Sequence, residues 1–573
     1  MTRATRIMTI FIRCRNTFTA LVVLLCVAWS TNSVAAAETI TTEPRDRTVY
    51  FGTDVVPILT KLGCNGGGCH GKATGQNGFR LSLFGFEPDF DYEAIVKESR
   101  GRRLSLAAPE HSLLLTKGTD GPHGGGKRLA VDSEDYRILR QWISQGTTRP
   151  QASDPHLLHI KITPQDAVLG VDSRQQLHVT ATFSDGRTRD VTRQAVYQSN
   201  EPGIATVSDD GTIQTTSKHG LFSVMARFGE QIATFHAAVP FVSDPQQQTA
   251  VETQLHLLES RLQIDEAANS NRTSTASAID RHLFAQWRKL GVIPSAPTDD
   301  STFLRRASLD ICGTLPTHDE VSAYLNDTSP DKRQRLIDRL LNRPEYASYF
   351  AIKWADILQN RGAGYATSKQ RAGTTLFASW INDSLESNKP YDQFVSEIIT
   401  ATGSQNLNPP AIWYRTVRKS PEYVESVAQA FLGVRVQCAQ CHHHPTERWS
   451  QSDYYGLAAV FSRVGRKGGF ADAEVPTDEI IYLKEVGEVT HPRTGEVLKP
   501  QPLGGAPFAI GLQDDPRESL ARWMTQPENP FFSFLALTES EVWAHFLGRG
   551  IVHPIDDACS MNPPGATRSC WML

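Results

Sequence analysis

The chain has 573 residues, enough for about three or four domains of ordinary size. Its 58 Lys and Arg residues against 62 Asp and Glu give a formal net charge of −4 without strong blocks of one sign. This balance excludes the clustered basic face of a typical nucleic-acid-binding protein. The 40% hydrophobic and 21% charged residues are ordinary for a soluble protein with buried cores.

The first residues have the order of a secretory signal peptide, which we predict over 1–37. Several arginines precede an apolar run from Phe18 to Trp29, and small residues follow up to Ala37. An apolar run of about 12 residues is too short to cross a ~30 Å hydrocarbon core comfortably, although a retained membrane anchor is the alternative. We therefore expect an exported protein, in the periplasm or at the cell surface, with no membrane span after cleavage.

Residues 48–150 have the pattern of a small α-helical domain. Apolar residues recur at helical spacing from Asp54 to Leu62, and Asp135 to Ile143 forms an amphipathic pattern that Gly146 ends. A cysteine–histidine loop and an irregular middle lie between these two helices. This order, with Trp142 in the closing helix, resembles a class I cytochrome c, and it predicts a cytochrome c-like domain.

Residues 155–241 have the pattern of an all-β sandwich. Alternating or β-branched runs at 157–162, 176–183 and 222–228 are separated by turn pairs such as Asp185-Gly186. The run from Ile204 to Ile213 resembles the bacterial Ig-like domains of the intimin or invasin type. We interpret this domain as a spacer between the helical domains on either side.

Two further segments complete the mature chain up to residue 500. Residues 242–277 are polar and predict a linker, in which 251–264 could form a short helix. Residues 278–500 predict a large, mainly α-helical domain, with a capping box at Thr317 to Glu320. Within this domain, an apolar helical stripe leads directly into Cys438. The stripe consists of Val424, Val427, Ala428, Phe431 and Leu432.

Two cysteine–histidine motifs carry the chemistry. The second, Cys438-Ala-Gln-Cys441-His442, has the spacing of a covalent c-type haem site, in which two thiols add to the porphyrin vinyl groups and the histidine ligates iron. The first has the same order with two more residues between its thiols, and its glycines add loop length without side-chain bulk. We predict Cys64, Cys69, Cys438 and Cys441 as thioether anchors, and His70 and His442 as proximal iron ligands.

Other chemistry fits the same residues. His442, His443 and His444 stand beside two thiols, and such a Cys/His set also suits zinc. A disulfide between Cys64 and Cys69 is the alternative for the first motif. The sequence therefore predicts one or two covalent haem c groups, with zinc as the alternative cofactor.

A haem iron commonly takes a second axial ligand, Met or His. None of the six methionines lies inside either haem segment, so histidine is the better candidate. In the first domain His111 and His123 remain, and we favour His123 because its glycine-rich loop could cover a haem face. His491 is the candidate in the second domain. Five-coordinate iron, with these histidines on the surface, is the alternative.

The motifs and their surroundings resemble domain families of planctomycetes. Four segments resemble the planctomycete cytochrome c-like domain: 64–70, 78–85, 109–115 and 123–127. Four more resemble the large planctomycete-specific domain of unknown function: 303–310, 313–316, 431–442 and 453–457. These resemblances imply the architecture and the haem cofactor, and they imply no reaction.

The C-terminal segment resembles the start of a third domain of the same group. Residues 541–557 match the opening of that domain, so we predict its truncated start over 527–573. After Pro564 the chain departs from the family pattern and closes within a few residues. We expect a frameshift or a premature stop as the cause.

The sequence contains no esterase, zinc-protease or phosphate-loop motif, so enzymatic activity stays undetermined. Our leading hypothesis is an exported c-type haem protein that acts in electron transfer or redox chemistry with an unknown redox partner. The rival is a surface binding or scaffold protein with structural zinc sites and a cell-surface or polysaccharide contact. A role in polysaccharide processing is a third alternative, which no residue pair in the sequence supports.

Overall fold

The computed structural model describes only part of the chain. The described residues are 47–71, 75–262, 275–360, 371–444, 447, 449–468, 479–526, 542, 544–548, 550 and 557. The predicted signal peptide lies outside these residues, as does nearly all of the segment 527–573. No helix in the described part combines the length and the apolar character needed to span a bilayer.

The N-terminal region is helical, and both predicted helices are confirmed. Ser133 caps the closing helix by accepting a hydrogen bond from the Tyr136 amide at 3.1 Å. This helix buries Trp142, whose ring centre lies 5.2 Å from that of Phe51. A cytochrome c fold stays a prediction. The α-helices are Val56–Lys61, Pro88–Val96, Leu113–Thr119 and Glu134–Ser144.

Residues 157–239 form ten strands that confirm the predicted β character. Alternation is clear in the fourth strand, where Val179, Ala181 and Phe183 are buried between less buried neighbours. The strands are β1 Leu157–Thr163, β2 Asp166–Val168, β3 Arg174–Gln176, β4 His178–Phe183, β5 Thr188–Asp190, β6 Val196–Ser199, β7 Ala205–Val207, β8 Thr212–Thr215, β9 Gly220–Phe228 and β10 Gln231–Val239.

These strands form three sheets around one apolar core. Their orders are β1-β4-β5, β2-β10-β9-β6 and β3-β8-β7. Only β2 with β10 is parallel among the pairs of this region, and the others are antiparallel. Side chains from all three sheets share the core, including Val179, Ile213 and Phe235. The region is therefore a β-sheet region, and its classification as a two-sheet sandwich stays a prediction.

The segment predicted as a linker contains more helix than expected. Helix Pro245–Leu262 is longer than the short helix that the sequence indicated, and Thr275–Leu290 follows it. Val251, Leu255 and Phe284 are buried together between them. The polar residues around the helix concealed this apolar face, because only every third or fourth position contributes to it.

The C-terminal region is mainly helical, and its largest core surrounds the stripe that leads to Cys438. All five residues of that stripe are buried, as predicted. The capping box at Thr317 and Glu320 is also present. The helices are Asp300–Cys312, His318–Asn326, Lys332–Leu341, Pro344–Ile357, Arg371–Glu386, Tyr391–Ile399, Trp413–Thr416, Ser420–Val427, Gln451–Val460 and Pro516–Met524; the strands are Gly403–Ser404, Val464–Lys467, Ile480–Leu483, Val489–Thr490 and Val497–Leu498.

A buried carboxylate joins the N-terminal helical region to the β-sheet region. Asp54 is 1% exposed and pairs with Arg47 at 2.8 Å and with Arg189 of β5. Burial alone would raise the pKa of Asp54, but the hydrogen bond and the charges of the two arginines outweigh it and hold this pKa below its ordinary value. Nearby, the Arg227 guanidinium lies 3.9 Å from the ring centre of Phe84.

The N-terminal helical region also contacts the C-terminal one directly. The rings of Phe86 and His443 stack with centres 4.7 Å apart and planes 7° from parallel. Glu87 forms an ion pair with Arg493 beside this stack. The β-sheet region therefore does not hold the two helical regions apart, and our interpretation of it as a spacer was wrong on this point.

We expect Asp54→Asn to loosen the junction between the N-terminal helices and the β-sheet region. Removing one partner of a buried ion pair leaves charges without compensation and costs about 3 kcal/mol. Hydrogen exchange should therefore accelerate at the amides of residues 50–61 and 187–192. The matched control is Asp185→Asn, because Asp185 pairs with Arg187 on the surface and should change stability by less than about 1 kcal/mol. Equal hydrogen-exchange rates in Asp54→Asn and Asp185→Asn would contradict the role of Asp54 at this junction.

Candidate functional site

The first motif is a tight loop that closes on the end of helix Val56–Lys61. The Cys64 amide donates to the Leu59 carbonyl at 2.9 Å, so the loop continues directly from the helix. The His70 amide then donates back to the Cys64 carbonyl at 3.0 Å. Cys64 and Cys69 are free thiols, both partly buried. The loop thus holds two thiols and an imidazole on one turn, and the structure contains no disulfide between these thiols.

Gly71, which directly follows the first motif, lies where a side chain would clash with the backbone. A Cβ on Gly71 would lie 2.0 Å from the Asn65 carbonyl oxygen, which no side chain tolerates. A Cβ on Gly68 would meet nothing within 4 Å. Close backbone approach therefore requires glycine at 71, whereas the loop could carry a side chain at 68.

The His70 ring is fixed by its neighbours. Its Nδ1 lies 3.0 Å from the Phe79 carbonyl oxygen, and a carbonyl only accepts, so Nδ1 carries the proton. The lone pair of the neutral ring is then on Nε2. Histidines that bind metals commonly use this arrangement, with one nitrogen donating to a carbonyl and the other ligating.

The His123 ring stacks on the His70 ring. The centres of the His70 and His123 rings are 6.1 Å apart, and their planes differ by 14°. His111 lies instead in the 3₁₀ turn Pro109–His111. The role of His123 as a second iron ligand stays a prediction.

The second motif forms a 3₁₀ turn over Gln437–Gln440 that helix Gln451–Val460 supports. Gln451 Nε2 donates to the Gln440 carbonyl at 3.0 Å, and the Tyr455 hydroxyl donates to the same oxygen at 3.2 Å. Cys438 and Cys441 are free thiols at the surface. The turn is therefore held from its backbone, while both of its thiols remain accessible.

His442 repeats the geometry of His70. Its amide donates to the Cys438 carbonyl at 3.3 Å, and its Nδ1 donates to the His443 carbonyl at 2.7 Å. The lone pair is again on Nε2. The two motifs differ in spacing, yet each one orients its histidine through the carbonyl of its first cysteine and through a second backbone carbonyl.

The two histidines after His442 are neutral. Burial, together with the neighbouring His442, lowers the pKa of His444 to about 4. Burial also lowers the pKa of His443. His443 Nδ1 is buried, and no hydrogen-bond partner for it lies among the described residues. These rings are packed side chains of the loop, not solvated surface histidines.

His491 lies near the second motif with its ring nitrogen already engaged. Its Nδ1 accepts hydrogen bonds from the Arg493 and Thr494 amides, both at 3.3 Å. The proton of the neutral ring is then on Nε2. Iron ligation through Nε2 would first require that proton to leave the nitrogen, which costs free energy. The role of His491 as a second iron ligand stays a prediction.

The choice between haem and zinc at these motifs stays a prediction. A haem iron needs only one or two protein ligands, and each motif supplies a histidine with an available tautomer beside two thiols. A structural zinc site needs four ligands together. Across the described ranges, no group of three or more His, Cys, Asp or Glu side chains is placed to hold a metal ion.

A buried acid supports the first motif, and the sequence analysis did not identify it. Asp91 is 1% exposed and accepts from the Ser82 amide at 2.5 Å and its hydroxyl at 2.7 Å. Next to Ser82, the Leu81 amide donates to the His70 carbonyl at 2.8 Å. Burial raises the pKa of Asp91 to about 7 despite the two hydrogen bonds. A Ser nine residues before an Asp is too common a pattern to reveal this contact.

We expect the four motif thiols to differ in reactivity in the haem-free protein. Burial, with the neighbouring Cys69, raises the pKa of Cys64 to about 11 from 9.0. Because the thiolate is the nucleophile, this rise should slow alkylation of Cys64 about 100-fold relative to the urea-unfolded chain. The surface thiols Cys438 and Cys441 should react first, as measured by mass spectrometry after timed iodoacetamide labelling. Equal rates at all four thiols would contradict the described burial.

We expect Asp91→Asn to gain stability over the native chain as pH rises. The raised pKa means that the native side chain is neutral at pH 4 but carries a buried charge above about pH 7. The local free energy of opening of the native chain should therefore fall relative to the variant by up to about 1.4 kcal/mol per pH unit between these limits. Hydrogen exchange at residues 80–92 measures this difference. Asp89→Asn, on the exposed side of the same helix, is the control and should show no such trend.

Comparison with known proteins identifies one domain. Residues 278–466, about one third of the chain, match the family model PSCyt2, whose description is a protein of unknown function (DUF1549). No curated protein matches the chain. The matched segment contains Cys438, Cys441 and His442 of the second motif, and it does not include the first motif. Residues 278–466 thus resemble a planctomycete-type domain of unknown function, while the predicted bounds 278–500 and the other domain assignments stay predictions.

Proposed function

We propose that the protein is an exported c-type haem protein that carries electrons at the periplasm or the cell surface. The proposal rests on one observation. In both motifs the histidine that follows the second cysteine donates Nδ1–H to a backbone carbonyl, at 3.0 Å for His70 and 2.7 Å for His442. Each loop therefore presents Nε2 as the basic nitrogen before any cofactor is bound.

This arrangement assigns a role to each motif residue. Cys64 with Cys69, and Cys438 with Cys441, would anchor one haem each, and His70 and His442 would ligate its iron. His123 would be the second ligand at the first site. A bound haem supplies one-electron chemistry, while the chain supplies binding, orientation and the local dielectric. Two histidine ligands would give a lower potential than a histidine with a methionine.

The backbone hydrogen bonds give the ligands a fixed direction. A carbonyl that accepts from Nδ1 limits rotation of the ring and makes Nε2 more basic. At the second site two side chains of helix Gln451–Val460 hold the turn at Gln440. At the first site the Leu81 amide donates to the His70 carbonyl. Neither loop would need a large rearrangement of its backbone to present its histidine.

We expect two covalent haem groups per chain when the protein is exported from a host with haem-attachment machinery. The double variant Cys438→Ser, Cys441→Ser should retain one, and Cys64→Ser, Cys69→Ser should retain the other. The measurement is the pyridine haemochrome spectrum of protein after acid-acetone extraction, which removes non-covalent haem. Cys312→Ser is the control, because Cys312 is a buried thiol outside both motifs and should not affect the count.

The same preparation tests the rival function. A colourless protein with stoichiometric zinc would contradict the proposal and support a surface scaffold with structural metal sites. A colourless protein without zinc would contradict both cofactor assignments. Retention of both haem groups in either double variant would contradict the assignment of the thiols.

A further inference from the structure

The two cysteine–histidine loops meet across a contact between the N-terminal and C-terminal helical regions. We propose that Phe86 and Glu87 on one side, with His443 and Arg493 on the other, form an internal docking contact that places the two haem sites side by side. This inference rests on the proposed function for its consequence, but the contact itself can be tested without haem.

On the first side, the contact residues are tied to the first motif. The Phe84 amide donates to the Asn65 carbonyl at 3.1 Å, next to Cys64 in the chain. The Thr60 hydroxyl donates to the Phe84 carbonyl at 3.2 Å. Phe86 follows two residues later and is only partly buried, so its ring projects from a segment fixed to the first loop.

On the second side, the contact begins at the residue that orients the proximal histidine. The His443 carbonyl accepts from His442 Nδ1 at 2.7 Å, and the His443 ring stacks on Phe86 with centres 4.7 Å apart. One aromatic pair thus connects the segment that is hydrogen-bonded to the first loop with the residue that follows His442.

Charged residues around this stack fix its register. Arg493 pairs with Glu87, and its guanidinium lies 5.8 Å from the ring centre of Phe90. The Arg80 guanidinium lies over the same ring, 4.7 Å from its centre. Arg493 belongs to the turn between strands Val489–Thr490 and Val497–Leu498, so a short hairpin of the C-terminal region reaches the N-terminal one. An aromatic centre with an ion pair at its side is typical of a specific interface.

If both loops bind haem, this contact would make the two haem groups a coupled pair instead of two independent redox centres. With haem at both loops, one iron would be oxidised as the other is reduced, so that a single electron passes across the contact and no proton needs to move. The contact thus deepens the proposed function, because it names the second site of the same chain as the redox partner of the first.

The contact can be tested in the haem-free full-length protein by zero-length crosslinking. In Arg493→Lys, carbodiimide activation of Glu87 should form an amide with the introduced amine, with the carboxyl oxygen leaving in the urea by-product. Mass spectrometry of a digest should then show the segment around Glu87 joined to that around 493. Mixing with isotope-labelled protein separates links within a chain from links between chains.

One internal control link and three added substitutions make the result decisive. The native pair Lys389–Glu397, at 2.6 Å, should crosslink in every sample and reports that the reagent works. Adding Glu87→Gln to the Arg493→Lys chain should abolish the new link and leave the control link unchanged. Adding Phe86→Ala instead should reduce the new link, while Phe86→Tyr should preserve it. Absence of the link in Arg493→Lys, with the control link present, would overturn the contact.

Electron paramagnetic resonance of the oxidised, haem-loaded protein tests the pairing. The spectrum of the native chain should be broader than the sum of the spectra of the two double Cys→Ser variants, because nearby paramagnetic centres interact. A spectrum equal to that sum would overturn the pairing. If the crosslink forms but no haem attaches, the proposed function fails and the contact stands, so the two failures are distinguishable.

Discussion

The geometry of both candidate sites depends on a hydrogen bond from a histidine Nδ1 to a backbone carbonyl. At His70 the acceptor comes from the β-bridge segment at Phe79, and at His442 it comes from the next residue in the chain. Each bond fixes one tautomer and one ring direction, and the different thiol spacings do not change this. Sequence spacing alone would therefore have overstated the difference between the two loops.

The surrounding fold keeps these bonds in place through buried polar contacts more than through apolar packing alone. Asp54 between two arginines joins the N-terminal helices to the β-sheet region, and Asp91 holds the segment that follows the first loop. Such groups contribute specificity because any other arrangement would leave a charge or a donor without a partner. The second loop relies instead on Gln451 and Tyr455, which both donate to one carbonyl.

Local patterns predicted the elements well and the contacts between them poorly. The closing helix, the capping box at Thr317 and the apolar stripe before Cys438 follow from spacing that neighbours in the chain control. The role of His123 as a second iron ligand, inferred from its glycine-rich loop, stays a prediction. The stack of Phe86 on His443 was not, because these residues are far apart in the chain and neither has a distinctive local pattern. The spacer interpretation failed for the same reason.

Two site residues show why chemistry at a position needs the fold as well as the residue type. His491 had the right side chain for an iron ligand, but two backbone amides already occupy its Nδ1. Gly68 had the right residue type for a tight turn, yet the crowded position is Gly71. The hydrogen bonds to His491 and the close contact at Gly71 both depend on the path of the backbone. The identity of a residue and its neighbours in the chain does not reveal that path.

The burial of His444 makes the second loop sensitive to the acidity of its surroundings. Its pKa of about 4 lies below the ordinary 6.5 of an exposed histidine, so the unfolded loop takes up a proton more readily than the folded one. The loop consequently loses stability as pH falls from about 6.5 towards 4. Acidification of the solution would loosen the peptide around Cys438 and Cys441 without any change in redox state or in ionic strength.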